Sequence, residues 1–395
     1  MKLLIVIPAL NEEASIREII ERTLAARERI IAASPVDEVA ITVVSDGSTD
    51  RTVEYARHYL DRIRLLEFER NRGYGAAIKA AWLESDADLL GFLDADGTCD
   101  PDFFAPLCQA LLTRELDVIS GCRMNPHSKM PPVRRVGNTL FAMILNLLAA
   151  EGVKDVASGM RVVRRESLSR LFPLPDGLHF TPAMSARAML SADLKIAEID
   201  MTYQERQGRS KLSVIRDGWR FLHIILKTAL LYRPSALLTL AGLVCFFAAT
   251  LWMLGPILHY ATRFSLEEWM IYRFITGHLL GGAATLFFCM GYLATRIVAL
   301  TLGASVNHWL RDFFGHPWFW GLPVGLMATF FPLLYPSLLQ YLTTGQVFEH
   351  WSRFIAASFL VTTALILAVT KILDHILNLV TERVHYLGQA RVPHA

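Results

Sequence analysis

The stretch Leu89-Leu90-Gly91-Phe92-Leu93-Asp94-Ala95-Asp96 joins an uncharged apolar run to two carboxylates. A short apolar run that ends at polar residues is typical of a strand buried on both faces of a parallel sheet. Three earlier segments are also predicted strands and are separated by helical patterns: the apolar Leu3–Ile7 and Val39–Val44, and the more mixed Ile63–Glu67. This alternation predicts an α/β fold, a mostly parallel sheet with helices on both faces.

Polar clusters follow all four predicted strands. They are Asn11-Glu12, Asp46-Gly47-Ser48, Asn71-Arg72-Gly73 and Asp94–Asp96. Any one of them could be an ordinary turn. Because ligands of open parallel sheets bind beyond the carboxyl ends of the strands, the four together predict one binding site on one rim of the sheet.

The second half of the chain is strongly apolar. Hydrophobic residues make up 53% of the 395 residues and charged residues only 19%, and the long uncharged stretches begin after Pro234. Each is long enough to cross about 30 Å of hydrocarbon. We therefore predict an all-α transmembrane domain over 234–395 with about four helices, at about 236–258, 274–296, 317–342 and 354–380. The last contains Lys371 and Asp374, which we expect to face protein or headgroups.

The segment 212–233 joins the two halves and has a basic face beside an apolar stripe. The basic face consists of Arg216, Arg220, His223 and Lys227. This pattern predicts an amphipathic helix at the membrane surface, with an ordinary helix packed on the globular domain as the alternative. The globular domain is then 1–211. Its first apolar run is too short for a signal peptide, so we expect this domain in the cytosol.

Charge and cysteine content exclude other classes of protein. The net charge is only +2 and no basic tract occurs, which disfavours nucleic-acid binding. The five cysteines have no CxxC spacing, and we interpret them as reduced residues without a metal role.

Asp94 and Asp96 are the strongest candidates for chemistry. Their alternating positions just past a strand let both carboxylates reach one divalent cation, Mg²⁺ or Mn²⁺, and through it a diphosphate. Arg206, Ser210 and Lys211 are candidates to close over the phosphates.

The order of these motifs resembles that of family 2 glycosyltransferases, and among them the polyprenyl-phosphate sugar synthases of the dolichyl-phosphate mannose synthase type. The matching segments run from Ile7 to Lys227. They are Ile7–Glu12, Ser45–Asp50, Asn71–Gly75, Asp94–Asp96, Gly121–Arg123, Ser158–Arg161 and Gly208–Lys211.

The resemblance implies a fold of the GT-A type and an inverting transfer of sugar from a UDP- or GDP-sugar to a polyprenyl phosphate, undecaprenyl or dolichyl. The reaction would take place at the cytosolic face of the plasma (inner) membrane with Mg²⁺ or Mn²⁺ stabilising the leaving diphosphate. A homo-oligomer is left open.

The resemblance also assigns roles to residues. The donor nucleotide would contact Pro8, Asn11, Glu12, Asp46 and Gly73. The catalytic residues would be Asp94, Asp96 and Arg206, with the metal on the two aspartates. The lipid phosphate would bind Arg123 with Arg134 or Arg135, while Ser210 and Lys211 close over phosphate.

The chain departs from the family pattern at two positions that affect these roles. Ser45 stands where the family has an aspartate, and Thr98 where it commonly has glutamine after the DxD sequence, so base contacts and a third metal ligand stay open. Arg206 also stands one residue nearer to Gly208 than expected.

Three functions remain open from the sequence. A lipid phosphate is already an anion and needs no base, whereas a hydroxyl acceptor on a glycolipid or polysaccharide would need one, and Asp155 is the candidate. The third function is a non-catalytic membrane scaffold or transporter. The loop Leu174–Pro182 is either a lid facing the sugar or a simple turn, and we expect a structural role for His179 within it.

Overall fold

The computed structural model of the protein describes residues 1–149, 152–206, 213–302, 308–347 and 349–389. It divides into two compact units, Met1–Ala229 and Leu230–Ala395. The predicted domain boundary at 211 and 212 lies outside the described residues.

The first unit is built on a sheet of seven strands in the order β3-β2-β1-β4-β6-β5-β7. The strands are β1 (Lys2–Ala9), β2 (Glu38–Asp46), β3 (Arg64–Phe68), β4 (Leu89–Leu93), β5 (Val118–Cys122), β6 (Met160–Arg164) and β7 (Ile196–Asp200). All pairs are parallel except those of β6, which runs antiparallel to β4 and β5. The predicted mostly parallel sheet is thus confirmed.

Helices cover both faces of the sheet. They are α1 (Ile16–Ala33), α2 (Thr52–Arg57), α3 (Tyr74–Leu83), α4 (Phe104–Thr113), α5 (Pro132–Leu148), α6 (Leu168–Leu171), α7 (Phe180–Leu190) and α8 (Val214–Tyr232). Alternate residues of a strand point to opposite faces. Leu3 and Ile5 of β1 therefore pack in one core with Ile16 of α1 and Leu107 of α4. On β4, Phe92 contacts Trp82 of α3 and Phe180 of α7.

The second unit consists of helices. They are α9 (Pro234–Arg263), α10 (Ile271–Leu302), α11 (His308–Gly315), α12 (Gly321–Thr344) and α13 (Trp351–Gln389). Four segments are long and apolar enough to cross a membrane, namely Pro234–Arg263, Glu268–Leu302, Pro317–Thr344 and Trp351–Val384. They confirm the predicted set of four apolar helices.

Two charged residues within the fourth apolar helix, Lys371 and Asp374, are buried and face protein. Asp374 accepts a hydrogen bond from Arg296 Nη1 at 2.7 Å and one from the Tyr292 hydroxyl at 2.6 Å. Lys371 donates to the carbonyls of Phe314 and Gly315 at the end of α11. Buried charges are tolerated in an apolar helical unit only when they are paired in this way.

Candidate functional site

A cavity of about 410 Å³ lies beyond the carboxyl ends of β1, β2 and β4. Each of the four polar clusters that follow these strands and β3 contributes to its wall. The described residues that line it include Pro8, Glu12, Asp46, Asn71, Gly73, Tyr74, Asp94, Arg123, Arg134, Gly159, Leu178, Thr181, Tyr203, Arg206, Arg220 and Phe221. Most of the site residues expected from the sequence are therefore neighbours.

Asp46 organises the loop after β3. Its two carboxylate oxygens accept hydrogen bonds from the backbone N–H groups of Arg72 (2.6 Å) and Gly73 (2.9 Å). Gly73 has a φ of +108°, and a Cβ there would lie 2.4 Å from the carbonyl oxygen of Asp176. Glycine is required at this position because other residues are strained at such a φ and would clash.

Asn11 and Glu12, although adjacent, have different environments. Asn11 is not one of the described residues that line the cavity; its Oδ1 accepts the backbone N–H of Thr49 at 2.7 Å and so joins two loops. Glu12 lines the cavity, and its Oε1 accepts a hydrogen bond from Arg206 Nη2 at 2.8 Å. Of the two, only Glu12 is placed to meet a ligand.

Asp94 has one oxygen held by a hydroxyl and the other against a glycine. The Tyr74 hydroxyl donates to Oδ1 at 2.6 Å. On the other side, a Cβ built on Gly159 would lie 1.9 Å from Oδ2. Burial, and next the negative charge of Asp96, raise the pKa of Asp94 to about 7.

Asp96 lies deeper and is engaged on both oxygens. Oδ1 accepts the Thr98 hydroxyl at 2.6 Å, and Oδ2 lies 3.1 Å from Arg206 Nη1. Arg206 therefore joins the loop after β1 to the loop after β4 through two ion pairs. Thr98, which stands where the family commonly has glutamine, thus donates a hydrogen bond to Asp96.

The two carboxylates fit a divalent cation whose coordination shell is completed by a bound substrate. Among the described residues, no group of three or more His, Cys, Asp or Glu side chains lies close enough to form a metal site by itself. Mg²⁺ is commonly bound through one or two carboxylates, with substrate phosphates and waters as the other ligands. Burial first and the charge of Asp96 second raise the pKa of Asp94, and a cation bound at the two carboxylates would favour the charged form of Asp94. Asp94 and Asp96 would hold such an ion.

Two of the three arginines expected at the lipid phosphate line the cavity, Arg123 and Arg134. Arg123 donates from Nε and Nη2 to the two carboxylate oxygens of Asp155, at 2.7 and 2.8 Å. Arg134, near the start of α5, lines the cavity. Arg135 is not among the described lining residues, and its guanidinium instead donates to the carbonyls of Asn125 and Ser128.

Asp155 is sequestered in the fold. Only 1% of the residue is exposed, and it also accepts the backbone N–H of Arg123 and the side-chain amide of Asn138. Burial acts to raise the pKa of its carboxyl group, but the charge and hydrogen bonds of Arg123 outweigh burial and leave that pKa below its usual value. Asp155 is therefore a buried counter-ion rather than a group facing the cavity.

The loop Leu174–Pro182 packs against the start of α3 and also contributes to the cavity wall. The carbonyl of Asp176 accepts the backbone N–H groups of Gly75 and Ala76 at the start of α3. Leu178 and Thr181 line the cavity. Burial, and next the charge of Arg220, lower the pKa of His179, which is not among the described lining residues.

Some lining residues had no assigned role in the sequence. Tyr74 stands within a recognised motif, but only the fold shows its contact with Asp94. Tyr203 and Phe221 precede and follow the last motif. Arg220 was predicted as part of the basic face of an amphipathic helix, and the structure shows that it lines the cavity. Ser210 and Lys211, expected to close over phosphate, lie outside the described residues.

Comparison with known proteins identifies relatives of this chain. The dolichyl-phosphate hexose transferase of Haloferax volcanii is 34% identical over 58% of this chain and 94% of its own length. A low-salt glycan biosynthesis hexosyltransferase of the same organism is 33% identical over 59% of this chain. A dolichyl-phosphate beta-glucosyltransferase of Trichomonas vaginalis is 31% identical over 53%. The chain spans only 55% and 65% of the length of these last two relatives.

Among solved structures, a glucosyl-3-phosphoglycerate synthase of Mycobacterium tuberculosis, in complex with Mn²⁺, UDP and glucosyl-3-phosphoglycerate, is similar. The match has a TM-score of 0.47 and 21% identity, and covers 58% of this chain and 80% of that one.

The family model described as glycosyl transferase family 2 matches residues 4–172. This range contains β1 to β6 and the loops that carry Glu12, Asp46, Asp94 and Asp96. On this match and that to the hexose transferase, the chain is a member of glycosyl transferase family 2.

Proposed function

We propose that the protein is an inverting glycosyltransferase that moves a sugar from a UDP- or GDP-sugar to a polyprenyl phosphate. The transfer would be assisted by Mg²⁺ or Mn²⁺ and occur at the cytosolic face of the membrane. Membership of family 2 supports the reaction class, and relatives named for dolichyl phosphate support the acceptor.

The wall nearest β1 and β2 suits the nucleotide. Pro8, Glu12 and Asp46 lie there, and Asp46 shapes the loop that contains Gly73. Arg206 is close to Asp96 and would exchange a carboxylate partner for a donor phosphate. A divalent cation bound at Asp94 and Asp96 would neutralise charge that develops on the leaving diphosphate.

The burial of Asp155 is the observation that favours a phosphate acceptor. A hydroxyl acceptor needs a carboxylate that can take its proton at hydrogen-bond distance. Asp155 was the candidate for that role, but it is buried against Arg123. The described carboxylates that line the cavity also have partners: Glu12 pairs with Arg206, Asp46 with the backbone of Arg72 and Gly73, and Asp94 with Tyr74.

A phosphate monoester needs no such base, because it is already an anion at neutral pH. One of its oxygens would attack the anomeric carbon in line with the bond to the nucleoside diphosphate, which breaks as the new bond forms. The configuration of that carbon inverts, and the bonding electrons leave with the diphosphate. Arg123, held in orientation by Asp155, and Arg134 would bind the acceptor phosphate.

The outer surface of the first unit supports a membrane-bound acceptor. Its exposed large apolar side chains are concentrated on α5 and α8, which contact each other through Phe141 and Phe221. They are Val133, Val136, Leu140, Met143 and Leu147 on α5, with Val214, Ile215 and Trp219 on α8. Exposed patches of this size mark interaction surfaces. We propose that α8 lies at the membrane surface and that α5 adjoins it there.

The test uses the full chain in nanodiscs with Mn²⁺ and a panel of UDP- and GDP-sugars, with and without polyprenyl phosphate. We expect nucleotide release from one donor only when the lipid phosphate is present, and no release by the Asp96→Ala variant. Release with a dephosphorylated polyprenol or a glycolipid would favour the hydroxyl-acceptor alternative. No release from any donor, in wild type and variant alike, would exclude transferase activity.

A further inference from the structure

Tyr74 lines the cavity and contacts Asp94, one of the two carboxylates proposed to bind the metal. Its hydroxyl donates to Asp94 Oδ1 at 2.6 Å. We propose that Tyr74 is a positioning residue, which holds the Asp94 carboxylate in the orientation that binds a divalent cation and thereby sets the metal affinity. This inference rests on the metal-dependent part of the proposed function.

The Asp94 side chain has little freedom once Tyr74 is in place. The torsion that turns a carboxylate about its terminal bond is broad, so burial alone does not select one orientation. Here the hydrogen bond holds Oδ1, while Oδ2 lies so near Gly159 that a Cβ there would be 1.9 Å away. Oδ1 therefore has a hydrogen-bond donor at the start of α3, while Oδ2 lies close to the segment before β6.

Tyr74 is itself held rigidly. Its ring lies edge-on to Phe92 of β4 and to Phe180 of α7, with centroid distances of 6.3 and 6.4 Å. The backbone on either side is fixed, because Gly73 lies against the carbonyl of Asp176 and the Gly75 N–H donates to the same carbonyl at 2.6 Å. The hydroxyl is therefore presented by the packed core and not by a mobile loop.

Orientation matters because the protein supplies few ligands. Among the described residues, Asp94 and Asp96 are the two carboxylates proposed as ligands, and Asp96 Oδ1 already accepts the Thr98 hydroxyl. Mg²⁺ requires nearly ideal octahedral geometry. A carboxylate that must first be ordered binds the ion less tightly, and loss of the partner that orients a metal ligand typically costs about 10- to 100-fold in affinity.

Tyr74 also lines the cavity, which offers a competing role as a direct contact for the donor. The two roles differ in what they need. A positioning role affects metal binding when no nucleotide is present, whereas a donor contact affects nucleotide binding when no metal is present. The Tyr74→Phe substitution removes one oxygen atom and keeps the ring contacts with Phe92 and Phe180.

The experiment measures Mn²⁺ binding by electron paramagnetic resonance on the full chain in nanodiscs, alone and with UDP or GDP. For Tyr74→Phe we expect affinity for Mn²⁺ to fall by about 10- to 100-fold in both conditions, with the affinity for nucleotide in EDTA unchanged. The matched control is Tyr59→Phe, since the Tyr59 hydroxyl donates to Glu21 Oε1 at the same distance, 2.6 Å, far from the cavity. This control should bind Mn²⁺ as the wild type does.

The inference is overturned if Tyr74→Phe binds Mn²⁺ as tightly as the wild type, or if it weakens nucleotide binding in EDTA instead. A thermal melt of each variant identifies unfolded protein, and Mn²⁺ binding is compared at a temperature at which wild type and variant are both folded. Because the binding assay needs neither a donor sugar nor polyprenyl phosphate, its result is separate from that of the transfer assay. A chain whose affinity for Mn²⁺ depends on Tyr74 but which transfers no sugar would refute only the proposed function.

Discussion

Arg206 Nη1 lies 3.1 Å from Oδ2 of Asp96, one of the two carboxylates expected to bind a divalent cation. The guanidinium of Arg206 and a bound metal ion would compete for this carboxylate oxygen. The side chains of Arg206 and Asp96 are only 20% and 7% exposed, so their attraction is weakly screened by solvent. Arg206 is thus a counter-ion for Asp96 as well as a candidate phosphate ligand.

Replacement of Arg206 should therefore have opposite effects on two affinities. In Arg206→Met we expect Mn²⁺ alone to bind more tightly, by roughly 2- to 10-fold, the scale of a partly exposed ion pair. Turnover should fall by about 10²-fold, because a group that stabilises charge on the diphosphate is lost. Titration of Mn²⁺ and steady-state kinetics measure the two effects. Arg29→Met, which breaks an exposed pair with Asp102, is the control and should change neither. Weaker Mn²⁺ binding by Arg206→Met would contradict the competition.

Asp155→Asn should destabilise the first unit. Removal of one member of a buried ion pair leaves Arg123 uncompensated, which typically costs about 3–5 kcal/mol. We expect a lower melting temperature in the near-ultraviolet circular dichroism of the purified protein. Asp86→Asn, which removes an exposed partner of Lys2, is the control and should melt like the wild type. A variant that keeps full stability but loses turnover would instead assign Asp155 a role as base.

The Arg123–Asp155 pair also predicts a pH dependence of stability. The pKa of Asp155 is lowered in the folded protein, so the unfolded chain binds more protons than the folded one as the pH falls below the ordinary aspartate value of about 3.9. The contribution of the pair is complete above that value and is lost as the pH falls through the folded pKa. Unfolding free energies measured from pH 6 down to pH 3 should fall more steeply for the wild type than for Asp155→Asn. Parallel curves would contradict this account.

Gly159→Ala should disturb Asp94 directly. The added Cβ would lie 1.9 Å from Oδ2 and 2.4 Å from Cγ of Asp94, so the carboxylate has to turn away from Gly159. We expect turnover to fall by about 10²-fold, as is typical when a catalytic group is misplaced by about 1 Å. Gly137→Ala on α5 is the matched control, because a Cβ there meets no atom within 4 Å. Equal turnover in the two variants would show that Asp94 is not held against Gly159.

Variants of two arginines one turn apart on α8 can distinguish a role in the cavity from a role at the membrane surface. Both arginines are exposed, but Arg220 is among the described residues that line the cavity and Arg216 is not. Both substitutions, Arg220→Gln and Arg216→Gln, remove the same charge from the same helix. In Arg220→Gln we expect KM for the lipid phosphate to rise by about 10-fold, because one charge-assisted hydrogen bond is lost. In Arg216→Gln we expect KM to stay unchanged. Equal changes in KM would indicate that both residues act only through the membrane surface.

Local sequence patterns account for much of the architecture. The apolar runs that end at polar residues predicted β1 to β4, and uncharged stretches of membrane length predicted the four long helices, because both signals depend on residues close together in the chain. Strands β5 to β7 were not predicted. The antiparallel β6 joins β4 to β5 through pairing that local patterns do not encode.

The sequence predicted which types of residue form the candidate site better than it predicted their contacts. Asp94, Glu12 and Arg123 all line the cavity, as their motifs suggested. Arg134 and Arg135 were equivalent in the sequence, yet only Arg134 is a described lining residue. Successive residues of an α-helix point about 100° apart, so the orientation of α5 against the sheet decides which of the two faces the cavity.

By itself the sequence determined the apolar strands, the membrane-length helices and the order of the family motifs, since each depends on composition and spacing along a few tens of residues. Only the tertiary structure decided the partners of the charged groups. Arg206 reaches Glu12 across 194 positions of the chain, Tyr74 reaches Asp94 across 20, and Arg123 encloses Asp155 across 32. Those partners depend on strand order and packing, which bring together groups that no local pattern relates.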